Sequence, residues 1–294
     1  MFKTYDARSD RLNDAKRFIR PFVLTPDAPN NNGMAINPAV GASITAPSSI
    51  TQEGPFEGFH LIADSTTFRA VGDHQCTVMM RDMGSQKYLM NRVVHANTVF
   101  GTSQFPCLLK EFMFLEEERS ISWTFQNLFP VANNIQPIIS GRRFYQSSAG
   151  NAPLNAYITK RKLRYIKTTP FFLTTNLPLV IAAGQTVPFQ MTVDPDGAFD
   201  GYAFSAVWYD TTLGAGFLNT GTFTWELRDS ESRRSLMTGR MNEQLALGDG
   251  RLPFQLPESI YVMPNMRLEL EVTNTHPNPL SNSFTILGKK FYLK

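Results

Sequence analysis

The chain is short of several things. Only 2 of its 294 residues are cysteine, charged residues make up 18%, and 28 basic against 25 acidic side chains leave a formal net charge of +3. Two cysteines cannot build a disulfide framework, so folding is expected to rest on packing. A charge of +3 is too small to make nucleic acid a default partner. No run approaches the roughly 18 apolar residues of a membrane span, and the opening residues MFKTYDAR lack the apolar core of a signal peptide. The expectation is therefore a chain neither secreted by the general route nor inserted in a bilayer. Apolar content is ordinary at 42%, with 23 Phe. Charge falls below the roughly 25% of soluble domains, which reads as a folded protein that keeps much surface against partners.

A repeat is present. Sliding the sequence along itself by 147 positions lays residues 76–147 over 223–294 without a gap, and 16 of the 72 pairs are identical. Unrelated sequences of this composition would give about four or five. The shared set includes Arg81-Asp82/Arg228-Asp229, Leu89-Met90/Leu236-Met237, Gly101/Gly248 and Glu111/Glu258, and it ends on Gly141-Arg142-Arg143-Phe144-Tyr145 over Gly288-Lys289-Lys290-Phe291-Tyr292. Upstream, Arg17-Phe18-Ile19-Arg20 faces Arg164-Tyr165-Ile166-Lys167, Pro21-Phe22 resembles Pro170-Phe171, and Phe56-Glu57-Gly58 resembles Phe199-Asp200-Gly201. Two tandem domains follow, 1–150 and 151–294, joined by a surface linker over 147–153.

Period-two alternation falls in phase in the two copies. Cys76, Val78 and Met80 answer Phe223, Trp225 and Leu227; Ile121, Trp123 and Phe125 answer Leu268, Leu270 and Val272. These are half-buried strands. The runs 113–115 and 260–262 precede the second pair across short polar links and read as hairpins. Further strands are expected at 21–25, 58–63, 137–145, 170–173, 178–182, 187–193, 202–208 and 284–292. Helical periodicity is expected only from Ser9 to Ile19. The fold class is all-β: two tandem antiparallel sandwiches of jelly-roll type arising from internal duplication. Residues 26–55, rich in Pro, Asn, Ser and Gly, read as a long loop or extended arm.

Chemistry is sparse. Cys76 pairs with Phe223 and Cys107 with Phe254 across the repeat, so both cysteines read as apolar core positions. His60, His74, His95 and His276 are dispersed, and Glu116 to Glu118 fall at an expected turn. Asp82 and Asp229, each followed three residues later by a serine, read as strand-end caps that accept hydrogen bonds from turn amides. No Gly-x-Ser-x-Gly elbow, phosphate loop or dinucleotide fingerprint occurs. No catalytic residue, cofactor or metal site is expected, and the chain reads as non-enzymatic.

Partner contacts are expected instead from the repeated basic doublets Arg142, Arg143, Lys289 and Lys290 and from Trp208 and Tyr209. A further basic cluster lies at 160–162.

In its tandem sandwiches, loop-rich arm, few cysteines and lack of a catalytic motif, the chain resembles virion structural proteins of bacteriophages built from duplicated, double jelly-roll-type domains. That resemblance implies a capsid, capsid-decoration or neck component that assembles on a particle, with itself as a homo-oligomer (a trimer by preference) and other virion proteins as partners. It implies a virion location after synthesis in the host cytoplasm, with no membrane and no specific nucleic acid as partner. The alternative is a carbohydrate-binding module or receptor-binding fibre, with Trp123, Trp225 and Tyr209 as sugar platforms.

Overall fold

The computed structural model describes residues 19–27, 39–65, 76–128, 135–145, 152–175, 179–210, 222–232, 234–242, 247–249 and 251–292. The chain is built almost entirely of antiparallel strands. The first half comprises β1 (Ile19–Leu24), β2 (Ser43–Ser49), β3 (Phe56–Ser65), β4 (Cys76–Asp82), β5 (Lys87–Tyr88), β6 (Val94–His95), β7 (Cys107–Leu115), β8 (Ser120–Asn127) and β9 (Ile135–Phe144). They form two sheets, β1-β9-β3-β7 and β2-β8-β4-β5, with β6 beside β4. Helix α1 (Ala152–Lys167) then leads into β10 (Thr168–Thr174), β11 (Leu179–Ile181), β12 (Thr186–Thr192), β13 (Gly197–Asp210), β14 (Phe223–Asp229), β15 (Met241–Asn242), β16 (Phe254–Val262), β17 (Arg267–Asn274) and β18 (Leu280–Tyr292). Here the orders are β10-β18-β13-β16 and β12-β17-β14-β15, with β11 beside β18. Each half thus alternates between two facing sheets in the same order, the jelly-roll arrangement of an antiparallel sandwich.

The strands keep the 147-residue spacing. The bounds of β4, β7 and β8 move onto those of β14, β16 and β17 by that shift. Their inward phases coincide too, since Ile121, Trp123 and Phe125 of β8 and Leu268, Leu270 and Val272 of β17 are all buried. The phase follows from the pleat, which sends alternate side chains to opposite faces. An edge-to-face ring pair, Phe22 with Phe56 at 5.7 Å, recurs as Phe171 with Phe199 at 5.9 Å.

The repeated glycines have a steric reason. A Cβ on Gly141 would lie 2.0 Å from the Glu57 carbonyl oxygen, and one on Gly288 2.6 Å from that of Asp200. Both face the irregularity that shifts the register of β3 at Gly58 and of β13 at Gly201. Backbones approach there more closely than any side chain allows.

Three expectations are corrected. Residues 26–55 do not form one arm: Ser43–Ser49 is β2, paired with β8 along its whole length. Its Pro47 is tolerated because β2 is an edge strand, and its inward residues, Ile44, Ala46 and Ser48, are too small and mixed to announce a strand. Residues 113–115 and 121–125 are not a hairpin. β7 and β8 belong to opposite sheets, so residues 116–119 carry the chain across the sandwich edge, with Glu118 at φ +58° and its counterpart Asn265 at +63°. The third correction is α1, which begins where a linker was expected. Pro153 sits in its first turn, a position that suits proline. Its inward face, Leu154, Tyr157, Ile158, Arg161, Lys162 and Tyr165, has helical spacing, but two of those six side chains are basic, which hides the period. The helix expected from Ser9 to Ile19 lies outside the described residues, apart from Ile19, which opens β1. No helix among the described residues is long and apolar enough to cross a membrane.

Candidate functional site

The two halves meet along β7 and β10, beneath α1. The junction is apolar and hydrogen-bonded. Phe172, Tyr202, Ala203 and Leu287 of the second half belong to the apolar core of the first. The Phe172 N–H donates to the Leu89 carbonyl at 2.9 Å, and Asn91 makes a two-way amide contact with Thr174, donating Nδ2 to its carbonyl at 3.1 Å and accepting its N–H at 2.8 Å. The Lys110 N–H donates to the Tyr202 hydroxyl, and the hydroxyls of Thr98 and Thr285 lie 2.8 Å apart. Burial pushes the Tyr202 phenol well above its usual range, so it stays neutral.

The repeated basic doublets all make ion pairs within the chain, Arg143 and Lys290 from buried positions and Arg142 and Lys289 from half-buried ones. Arg143 is 3% exposed; it donates to the carbonyls of Thr51 and Gly54 and pairs with Glu53 at 2.9 Å. Lys290, 2% exposed, pairs with Asp194 at 3.0 Å and with Asp196. Both charges bind the turn that leads into β3 or β13. Arg142 reaches the fully buried Glu57 at 2.7 Å, and Lys289 reaches Asp200 at 3.2 Å, the same cross-strand pair in each half. A buried carboxylate such as Glu57 needs this partner. These side chains were expected to meet a partner; alternation on a strand does not reveal that both members of a doublet find acids within the chain.

The cluster at 160–162 behaves similarly. Arg161 is 3.2 Å from Glu57 and Lys162 2.8 Å from Glu116, while Arg164 pairs at 2.8 Å with Glu111. These pairs fasten α1 to the first sandwich. Trp208 is 8% exposed, its ring edge-to-face with Phe223 at 5.0 Å, and Trp123 and Trp225 are fully buried. None of the three can act as a flat sugar platform. The backbone of Tyr209 in β13 pairs with Ser281 in β18; its side chain lies outside the described residues.

Cys76 and Cys107 are both buried free thiols, and burial pushes the Cys107 thiol up to about 12. His95 accepts the Asn97 N–H at 3.3 Å and His276 the Asn278 N–H at 3.2 Å, so each ring organises a turn. His74 lies outside the described residues. Asp82 accepts the Gly84 and Ser85 amides and the Ser85 hydroxyl, and Asp229 accepts the Glu231 amide and Ser232 hydroxyl, as strand-end caps do. A cleft of about 140 Å³ beside α1 includes Asp82, Lys87, Glu116 and Tyr165, but Asp82 and Glu116 are already engaged. No group of three metal-ligating side chains converges among the described residues.

No family model matches the chain, and no curated protein matches it. Solved structures similar to it include that of Sulfolobus turreted icosahedral virus, 11% identical over 93% of this chain and 91% of that one, with a TM-score of 0.41. Recombinant N-glycanase F (PNGase F) is 6% identical, over 92% of this chain and 96% of that one, at 0.37. The VP2 subviral particle of infectious bursal disease virus is 10% identical, over 93% and 72%, at 0.25. At these scores no function transfers. The expectation of a non-enzymatic chain is corrected: N-glycanase F and a peptide-N(4)-(N-acetyl-β-D-glucosaminyl) asparagine amidase are among the structures similar to it, and fold alone does not exclude catalysis.

Proposed function

We propose that this chain is a structural protein of a virus particle, a bacteriophage coat, decoration or neck component that arose by duplication of one jelly roll and assembles as a homo-oligomer, with a trimer as its unit. One observation carries the reading: two sandwiches with the same strand order are locked side by side by a buried junction, so a single rigid chain offers its surroundings two similar sets of edges and loops. Such a chain gives a symmetric lattice more contact positions than it has subunits, and three copies would present six sandwiches around an axis. The ion pairs of the basic doublets within the chain support the same reading, because these charges fix the body of each sandwich.

The test is the solution mass of the purified chain by light scattering over a concentration series, with electron microscopy of the same samples. A discrete trimer, or growth into shells or rings, is the expected result. Absence of the chain from purified particles of the virus that encodes it would overturn the reading.

A further inference from the structure

The two open ends of this chain are the two sides of the contact already made in its middle. At the internal junction β10 is buried from Thr169 to Thr174, and β7 is buried at every position except Leu108 and Lys110. Their counterparts one repeat away are open. β1, the counterpart of β10, exposes Arg20, Pro21 and Val23, and β16, the counterpart of β7, has one buried residue, Val262.

The equivalence is one of register. Val23 stands opposite Ser140 on β9 and Phe172 opposite Leu287 on β18, and those partners are 147 positions apart. Phe172 is 1% exposed and Val23 49%. The surface that covers Phe172 is the segment at Leu89 and Met90, through the hydrogen bond given above and a bridge to Met90. That segment has its own copy: the Leu89 N–H donates to the Met80 carbonyl, and the Leu236 N–H donates to that of Leu227. Leu89 is fully buried and Leu236 is 48% exposed. Phe254 and Tyr261 on β16 are likewise 37% and 60% exposed, where Cys107 and Phe114 of β7 are covered. Exposed apolar groups at both ends mark a contact surface.

We propose that β1 of one copy docks against the Leu236 segment and β16 of a second copy, repeating between chains the contact that β10 makes with the Leu89 segment and β7 within each chain. The occupant is a second copy because the complement of each open face, seen at the internal junction, is the other open face of the same molecule. The contact joins two different patches, so it is head-to-tail and either closes into a ring or continues as a filament. This rests on the reading of the chain as a self-assembling particle protein and names the surface that reading needs.

The experiment uses the full chain with Val23→Lys and Leu236→Lys, each at an exposed position and each blocking one side of the contact. Light scattering is expected to show the unaltered chain associating, and each variant monomeric at tenfold higher concentration with an unchanged circular dichroism spectrum. Mixing the variants is expected to restore a two-chain complex and nothing larger, because V23K keeps its Leu236 face and L236K keeps its β1 face. Association that neither substitution weakens, a mixture that stays monomeric, or an unaltered chain that is monomeric throughout would overturn the proposed contact. A chain that forms the ring yet is missing from purified particles would overturn the particle reading and leave the contact standing.

Discussion

Lys290 fills in the second sandwich the place that Arg143 fills in the first. Each is almost fully buried on the last strand of its half, directly before Phe291 or Phe144, and each sends its charge to the turn that feeds the neighbouring strand. The acids they reach, Glu53, Asp194 and Asp196, are about half exposed or more. Removing the base therefore frees those acids to water, and what is lost is packing and hydrogen bonds. Arg143→Met and Lys290→Met are each expected to lower stability by about 2 kcal/mol in urea unfolding, without changing the oligomer mass.

Gly141 and Gly288 admit no side chain, since the nearest obstacle to a Cβ includes backbone of the neighbouring strand. Gly141→Ala and Gly288→Ala should each cost about 3 kcal/mol. Gly239, with nothing within 4 Å of a built Cβ, is the control, and Gly239→Ala should stay within about 0.5 kcal/mol. Equal melting temperatures for all three would refute the close-approach account.

Because Phe172, Tyr202 and Leu287 pack in the first half's core, the two halves should melt together. Calorimetry is expected to show one transition for the unaltered chain. Asn91→Ala removes both amide contacts with Thr174, leaves backbone groups unpaired, and should cost about 2 kcal/mol while broadening or splitting that transition.

Neither thiol should react with a chromogenic disulfide reagent at pH 8 in the folded chain, since both are buried and the Cys107 thiol is pushed up to about 12. Two thiols should react after denaturation. Reaction of one thiol at native rates would place that residue at the surface.

The Ser232 hydroxyl, followed by the Glu231 amide, holds the Asp229 carboxyl below the usual carboxylate range. A folded value below the unfolded one gives stability that is complete above the unfolded value of about 4 and is lost as pH falls through the folded value. Asp229→Asn should therefore lower stability at pH 7 and flatten its decline in acid, measured as urea midpoints from pH 7 down to pH 2.

Much of the fold is legible in the residues. The phase of Ile121, Trp123 and Phe125 against Leu268, Leu270 and Val272 marks two strands and their inner faces, because the pleat imposes period two on any strand with one wet side. The all-β class and the capping roles of Asp82 and Asp229 come from equally local rules. What only the tertiary structure decided is long-range. Whether residues 113–115 pair with 121–125 or cross to the facing sheet depends on partners far along the chain. The sequence of β2 carries too little apolar alternation to compete with its proline and serines, yet Ser48 accepts the Trp123 indole N–H at 2.7 Å inside the sandwich. Helix α1 hides its inner face behind Arg161 and Lys162, whose place on that face makes sense only once Glu57 and Glu116 are beside them. Arg143 and Lys290 are buried for the same reason: a charge is inside or outside according to whether a counter-charge waits within reach, and that is settled by contacts between residues tens of positions apart.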